Sequence, residues 1–116
     1  EALRPVDRRR TLTQLEKDDW GEPPYDSYVV TQCHRLRHVP LQELTVENLR
    51  LLVGQNISLR YTVPLALEQL SRDPMVSGDF YPGDLLEQVR RVPAEFWAEH
   101  PRLAEAWERI RASLPR

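Results

Sequence analysis

Cys33, His34 and His38 are the residues whose types and spacing come closest to a chemical site. His34 and His38 are four residues apart, about one turn of a helix. Both imidazoles could therefore lie on one helix face and bind the same zinc ion. Zinc usually takes three or four protein ligands, and the remaining histidine, His100, is remote in sequence. We therefore expect no metal and no cofactor, and we assign the histidines to capping and packing.

Catalysis is the sharper alternative for the same residues. His34 or His38 could act as a base with an aspartate partner, but no spacing requires a pocket that gathers them. Cys33 as a nucleophile lacks a base that the sequence identifies. The chain also has no glycine-rich phosphate loop, no G-x-S-x-G, no H-E-x-x-H and no cysteine pair. We predict a non-enzyme and keep a small His/Asp enzyme as an alternative.

The most unusual local composition is that of the segment Glu16–Asp26, which has five acids and one base, Lys17. One interpretation is a solvated loop whose aromatic residues pin it to the core. The other is an acidic, aromatic surface for a basic protein partner. The candidate partner-binding residues are Asp18, Asp19, Trp20, Glu22, Tyr25 and Asp26, with Asp79 and Asp84 as a second set.

Length and charge limit the remaining classes. The 116 residues fit one domain, 1–116, in which we expect 1–10 and 112–116 to be frayed. The run Arg8–Arg10 could be an RNA-contacting arm, but no aromatic residue is interleaved with it. A net charge of −2 gives no general attraction to nucleic acid or membranes. The single cysteine fits a reducing compartment, and the sequence has neither a signal pattern nor an apolar run long enough to span a bilayer.

The segment Leu44–Leu70 must supply the centre of the core, because it is the densest apolar stretch. It predicts two amphipathic helices that meet across Gly54-Gln55-Asn56. We predict that Thr45 caps the first helix, that Gly54 ends it in a left-handed conformation, and that Pro64 lies near the start of the second. The residues predicted to be buried are Leu49, Leu52, Val53, Tyr61, Leu65, Leu67 and Leu70.

Shorter patterns on either side predict further helices. Thr13 and Glu16 have capping-box spacing, and Asp84 can cap a later helix. Asp26 or Ser27 can start a helix that runs to Arg37. We assign the aromatic side chains of Phe96, Trp97 and Trp107 to the core. The sequence therefore predicts an all-α fold: a single compact domain of about six short helices, monomeric when free.

Two further functions stay open. The Leu44–Leu70 pair could be a helix-turn-helix that binds nucleic acid, but between Pro64 and Leu70 the only polar residues are Glu68 and Gln69. That is a poor supply of side chains for reading base edges, so we expect no nucleic-acid partner. A scaffold role cannot be separated from partner binding by sequence.

Three stretches, in order, resemble the bacterial contact-dependent growth inhibition (CDI) immunity proteins. They are TLTQLEKDDWGEPPYDSYVVTQCHRLR, LTVENLRLLVGQNISLRYTVPLALEQL and FYPGDLL, within a similarity that runs from Thr11 to Ile110. The resemblance implies a non-catalytic cytoplasmic protein that binds and neutralises the C-terminal toxin domain of a delivered effector, often a nuclease. It assigns no toxin-contacting residue, so the acid-rich segment remains our own candidate.

Overall fold

Seven α-helices form the part of the chain that the computed structural model describes, residues 6–115. In order they are α1 (Leu12–Glu16), α2 (Tyr28–Leu36), α3 (Val46–Gly54), α4 (Leu59–Arg72), α5 (Asp84–Arg90), α6 (Ala94–Glu99) and α7 (Pro101–Ala112). A 3₁₀ turn, Leu41–Glu43, precedes α3. These residues contain no strand, and the isolated bridge between Ser77 and Pro82 does not extend. The predicted all-α fold is confirmed.

Helices α3 and α4 form the centre of the molecule. Helix α5 packs on both, α2 on α3, and α7 on α4 and α6. Six of the seven predicted core residues are buried: Leu49, Leu52, Val53, Leu65, Leu67 and Leu70. The seventh, Tyr61, is only half-buried, and its ring centre lies 5.4 Å from the guanidinium carbon of Arg60. Within residues 6–115, no helix is both long enough and apolar enough to cross a bilayer.

The first turns of α1 and α3 show which caps the sequence identifies correctly. Thr45 caps α3 as predicted: its hydroxyl accepts from the Asn48 N–H at 3.1 Å. The predicted Thr13–Glu16 box is wrong, because Thr11 caps α1 in a box with Gln14. Starting at Leu12 places that fully buried leucine inside the helix, so core packing selects the earlier cap.

The turn between α3 and α4 corrects the role of Gly54. This glycine is the last residue of α3, and the left-handed residues are Asn56 (φ 57°) and Ser58 (φ 52°). A Cβ at Gly54 would lie 2.9 Å from Oε1 of Gln88 on α5. Glycine at this position therefore permits the close approach of α5, rather than ending the helix in a left-handed conformation.

Pro64 lies inside α4, whose first residue is Leu59, so the predicted position near the helix start is wrong. Proline at this position cannot donate to the carbonyl of Arg60, which normally destabilises a helix interior by about 3 kcal/mol or more. Val63, Leu67 and Leu70 are buried on the same helix. Their packing holds α4 together across the proline, a tertiary effect that local propensity does not contain.

Backbone hydrogen bonds hold the described part of the N-terminal segment against the body. The carbonyls of Arg8 and Arg10 accept from the N–H groups of Gln42 and Leu41, at 2.9 and 3.0 Å. The Arg8 guanidinium donates to both carboxylate oxygens of Glu68. Residues 1–5 and 116, which the sequence predicts to be frayed, lie outside the described residues.

Candidate functional site

The candidate site is the loop that joins α1 to α2, which we call the acidic loop and define as Glu16–Asp26. Helix α1 ends after five residues because Lys17 adopts a left-handed conformation, with φ 53°. The chain then runs without regular structure to Ser27, whose hydroxyl accepts from the Val30 N–H and caps α2, as predicted. Four acidic side chains of the loop are exposed: Asp18, Asp19, Glu22 and Asp26.

Arg37 anchors the loop. This residue follows directly after the last residue of α2 and is 1% exposed. The guanidinium donates to the Glu16 carboxylate, to the Ser58 hydroxyl at 2.9 Å and to the Asp18 carbonyl at 2.7 Å. The Ser58 hydroxyl in turn donates to Glu16 at 2.8 Å. One buried cation therefore joins α1, the acidic loop and the start of α4.

Trp20 fastens the middle of the loop to the same arginine. The Arg37 guanidinium carbon lies 4.3 Å from the centre of the indole ring, a cation–π contact. The ring meets the imidazole of His34 edge-on, with centroids 5.1 Å apart. Trp20 remains 39% exposed, so the same side chain both pins the loop and presents apolar surface to solvent.

The two histidines of α2 contact this loop. His34 Nδ1 lies 3.2 Å from the Gly21 carbonyl, and because a carbonyl only accepts, this nitrogen carries the proton. His38 Nε2 lies 3.7 Å from Asp19, which also accepts from the Gly21 N–H at 2.9 Å. Burial raises the pKa of the neighbouring Cys33 thiol, which disfavours the reactive thiolate.

Two tyrosine side chains are exposed, one in the acidic loop and one at the start of α2. Tyr25 is 65% exposed. Tyr28, the first residue of α2, is 70% exposed and was missed by the sequence analysis. A signal for it existed, because Tyr28 lies outside the apolar spacing of Val29, Cys33 and Leu36.

The second predicted set, Asp79 and Asp84, lies in and after the loop that precedes α5. Asp79 is exposed, but the Asp84 side chain is almost fully buried. Asp84 does not cap α5 as predicted: Gly83, with φ 89°, takes that position. The Asp84 carboxylate instead accepts from the N–H groups of Gly78, Phe80 and Tyr81. No hydrogen bond or ion pair among residues 6–115 joins this set to the acidic loop.

The loop that Asp84 supports presents a further aromatic patch that the sequence analysis did not select. Phe80 and Tyr81 are 68% and 50% exposed. The Arg50 guanidinium lies 4.2 Å from the centre of the Phe80 ring, and Arg50 pairs with Glu47. The Asp79 N–H donates to Glu47 at 2.9 Å. The carboxylates of Glu47 and Asp84 therefore both hold this loop in position.

The substitution Asp84→Asn tests whether the Asp84 charge holds the loop before α5, because the effect of that charge on stability depends on pH. Burial alone would raise the pKa of Asp84, but the backbone N–H donors outweigh it and hold the pKa below its usual value. The stabilisation is therefore complete above the unfolded pKa of about 3.9 and is lost as the pH falls through the lower folded pKa. Asp84→Asn should lower the free energy of unfolding by about 2 kcal/mol at pH 7.

The measurement is urea unfolding of both proteins between pH 7 and pH 3. The difference in the free energy of unfolding between the parent protein and Asp84→Asn should stay constant down to about pH 5 and become smaller below about pH 4. Asp79→Asn, at an exposed neighbour, should change little at any pH. An undiminished Asp84→Asn difference at pH 3 would show that the charge of Asp84 is not what supports the loop.

The structure brings together one histidine–aspartate pair of the catalytic alternative, His38 and Asp19, and the side chains of both are more than half exposed. A large groove between α4 and α7 is lined by none of Cys33, His34 and His38. Residues 6–115 contain no group of three or more histidine, cysteine or acidic side chains arranged to hold a metal ion. What the structure does show is a loop, anchored at Glu16, Asp18 and Trp20, that bears the exposed Tyr25 and, besides Glu16, four exposed acidic residues. Aromatic side chains are enriched at protein interfaces, and the rims of interfaces are polar.

Comparison with known proteins identifies the family. A family model for CDI immunity proteins matches residues 14–106, which contain the whole acidic loop, α2 to α6 and half of α7. No curated protein and no solved structure matches the chain. The matched stretch includes the central α3–α4 pair and the buried Arg37. On this match over most of its length, the chain belongs to the family of CDI immunity proteins.

Proposed function

We propose that this protein acts in the cytoplasm as a non-catalytic inhibitor that binds the C-terminal toxin domain of a CDI effector through its acidic loop. Family membership supports the toxin as the class of partner. The observation that carries the choice of surface is the Arg37 anchor, which fixes the Asp18 carbonyl and Trp20 within a loop that has four exposed carboxylates. The eight-residue set of the sequence analysis changes accordingly: Tyr28 is added, and Asp79 and the buried Asp84, which lie outside the acidic loop, are left out.

The charge of the loop favours a basic partner. Across Glu16–Asp26 the five acids exceed the single Lys17 by four charges, although the whole chain carries only −2. Nucleases need a basic cleft to hold phosphates, so we infer that the toxin is a nuclease. An acidic surface would be steered onto such a cleft, which increases the association rate.

The exposed aromatic side chains would slow the dissociation of a bound toxin. Tyr25 and Tyr28 are mostly exposed in the free protein, so they have area to bury against a toxin. Tyrosine is enriched among the residues that dominate interface energies. Because Arg37 and Trp20 already order the loop, binding should lose less conformational entropy than it would with a free segment.

Tyr25→Ala separates this role from steering. We expect a dissociation rate from the purified toxin domain at least ~10-fold faster, with a nearly unchanged association rate. Tyr81→Ala is the matched control, since it removes a similarly exposed tyrosine from the other aromatic patch. Surface plasmon resonance measures both rates. Equal dissociation rates for the parent protein and Tyr25→Ala would remove Tyr25 from the interface.

A further inference from the structure

A groove of about 760 Å³ lies between α4 and α7, within the size range of ligand-binding clefts. Its lining includes the buried Leu65, Leu103 and Ile110 and the half-buried Tyr61 and Ala106. No residue of the acidic loop lines it, so it is a different surface from the proposed toxin-binding site.

The edge of the groove is positively charged. Arg8, Arg60, Arg109 and Glu68 line it, three cations and one anion, which leaves a charge of +2. Arg8 donates to both oxygens of Glu68, so these two charges cancel locally. Arg60 and Arg109 are exposed, and neither forms an ion pair with any of residues 6–115. Two uncompensated guanidinium groups in a chain of net charge −2 favour an anionic occupant.

The walls of the groove define the shape of that occupant. Both are helices, and the described chain has no strand whose edge could pair with an extended peptide. A helix can instead dock by its side chains in a groove between two others. The lining of α4 extends from Arg60 to Ser71, about 16 Å, which is the length of roughly three helical turns.

We propose that this groove binds an acidic amphipathic helix of another protein. Its apolar stripe would pack on the partly exposed Tyr61, Pro64 and Ala106, and its flanking carboxylates would pair with Arg60 and Arg109. A lipid surface shares the anionic chemistry, but a flat surface contacts the arginines without filling the apolar floor. The observations therefore favour the helix.

The first test needs no change in the protein. The probe is a synthetic peptide of about 16 residues with leucines at i, i+3, i+4 and i+7 and glutamates on the flanks. Its control has lysine at every glutamate position. Titration into the full chain should shift the backbone NMR signals of Ser71 and Ala106 with the glutamate peptide, which should bind at least ~10-fold more tightly than the lysine peptide.

Charge reversal then tests the two arginines. Arg60→Glu with Arg109→Glu should reverse the preference, so that the lysine peptide binds more tightly. The matched control reverses two exposed arginines that do not line the groove, Arg90→Glu with Arg102→Glu, and should keep the original preference. Circular dichroism verifies that each variant is folded.

Several results would overturn the proposal. One is equal affinity of the unmodified protein for both peptides, a comparison that does not depend on any variant. Another is a set of NMR shifts outside the lining of the groove. A third is binding of vesicles of anionic phospholipid that Ala106→Trp abolishes while the peptides do not bind, which would assign the groove to lipid instead.

Discussion

Replacing Leu52 with alanine is expected to lower the free energy of unfolding by about 2–5 kcal/mol. Leu52 is 0% exposed on α3, at the centre of the helix packing. The truncation removes three carbon atoms and leaves a cavity that rigid neighbours fill only in part. Chemical denaturation measures the loss directly, and we expect a lower midpoint with an unchanged slope.

Leu59→Ala is the matched control, because Leu59 on α4 is the same residue type but only partly buried. It should cost clearly less than Leu52→Ala. If Leu52→Ala left the denaturation midpoint where it is, Leu52 would not be a core residue and the packing of α3 would have to be reconsidered.

Replacing Arg37 with leucine is expected to lower the free energy of unfolding by about 3 kcal/mol. The change removes the donors for Glu16, Ser58 and the Asp18 carbonyl together. We take the lower end of the range for broken buried pairs because Glu16 remains 29% exposed and can be hydrated. The loop should also loosen, since Trp20 loses the cation beneath its ring.

Two readouts separate these effects. Denaturation reports the stability, and the emission maximum of the tryptophan fluorescence should move to longer wavelength as Trp20 becomes more hydrated. Arg35→Leu, at an exposed arginine of α2 whose side chain bonds only Gln32 among residues 6–115, should change neither readout. An Arg37→Leu protein with parental stability and fluorescence would show that the loop does not depend on this arginine.

Local sequence patterns were sufficient to predict the helices but not to predict where all of them begin and end. The apolar periodicity of Leu44–Leu70 located the core, and Thr45 and Ser27 were recognised as caps because a cap depends on neighbours three residues away. The predictions for Thr13, Gly54 and Pro64 failed where tertiary contacts decide. Leu12 enters the core, α5 approaches Gly54, and packing carries α4 across its proline.

The candidate loop was predictable from composition, whereas its support was not. Five acids among eleven residues are visible in the sequence. No local pattern indicates the role of Arg37, because its partner Glu16 lies 21 residues away and no periodicity links the two. The role of Asp84 was not predicted for a related reason. Its carboxylate accepts hydrogen bonds from backbone N–H groups of a loop whose conformation the sequence does not specify.

The association rate constant with the toxin domain of the cognate effector is the most direct test of the acidic loop. The structure selects Asp18→Lys with Glu22→Lys, because both side chains are exposed, whereas Asp19 bonds Gly21 and holds the loop. Glu99→Lys with Glu105→Lys changes the net charge equally, at exposed positions on α6 and α7.

Stopped-flow mixing at low salt measures the rates, with circular dichroism to verify that each variant is folded. We predict that the loop variant associates at least ~10-fold more slowly than the parent protein and depends less on salt, while the control variant stays close to the parent. Equal association rates for the folded loop variant and the parent at low salt would contradict the assignment of the acidic loop as the toxin-binding surface.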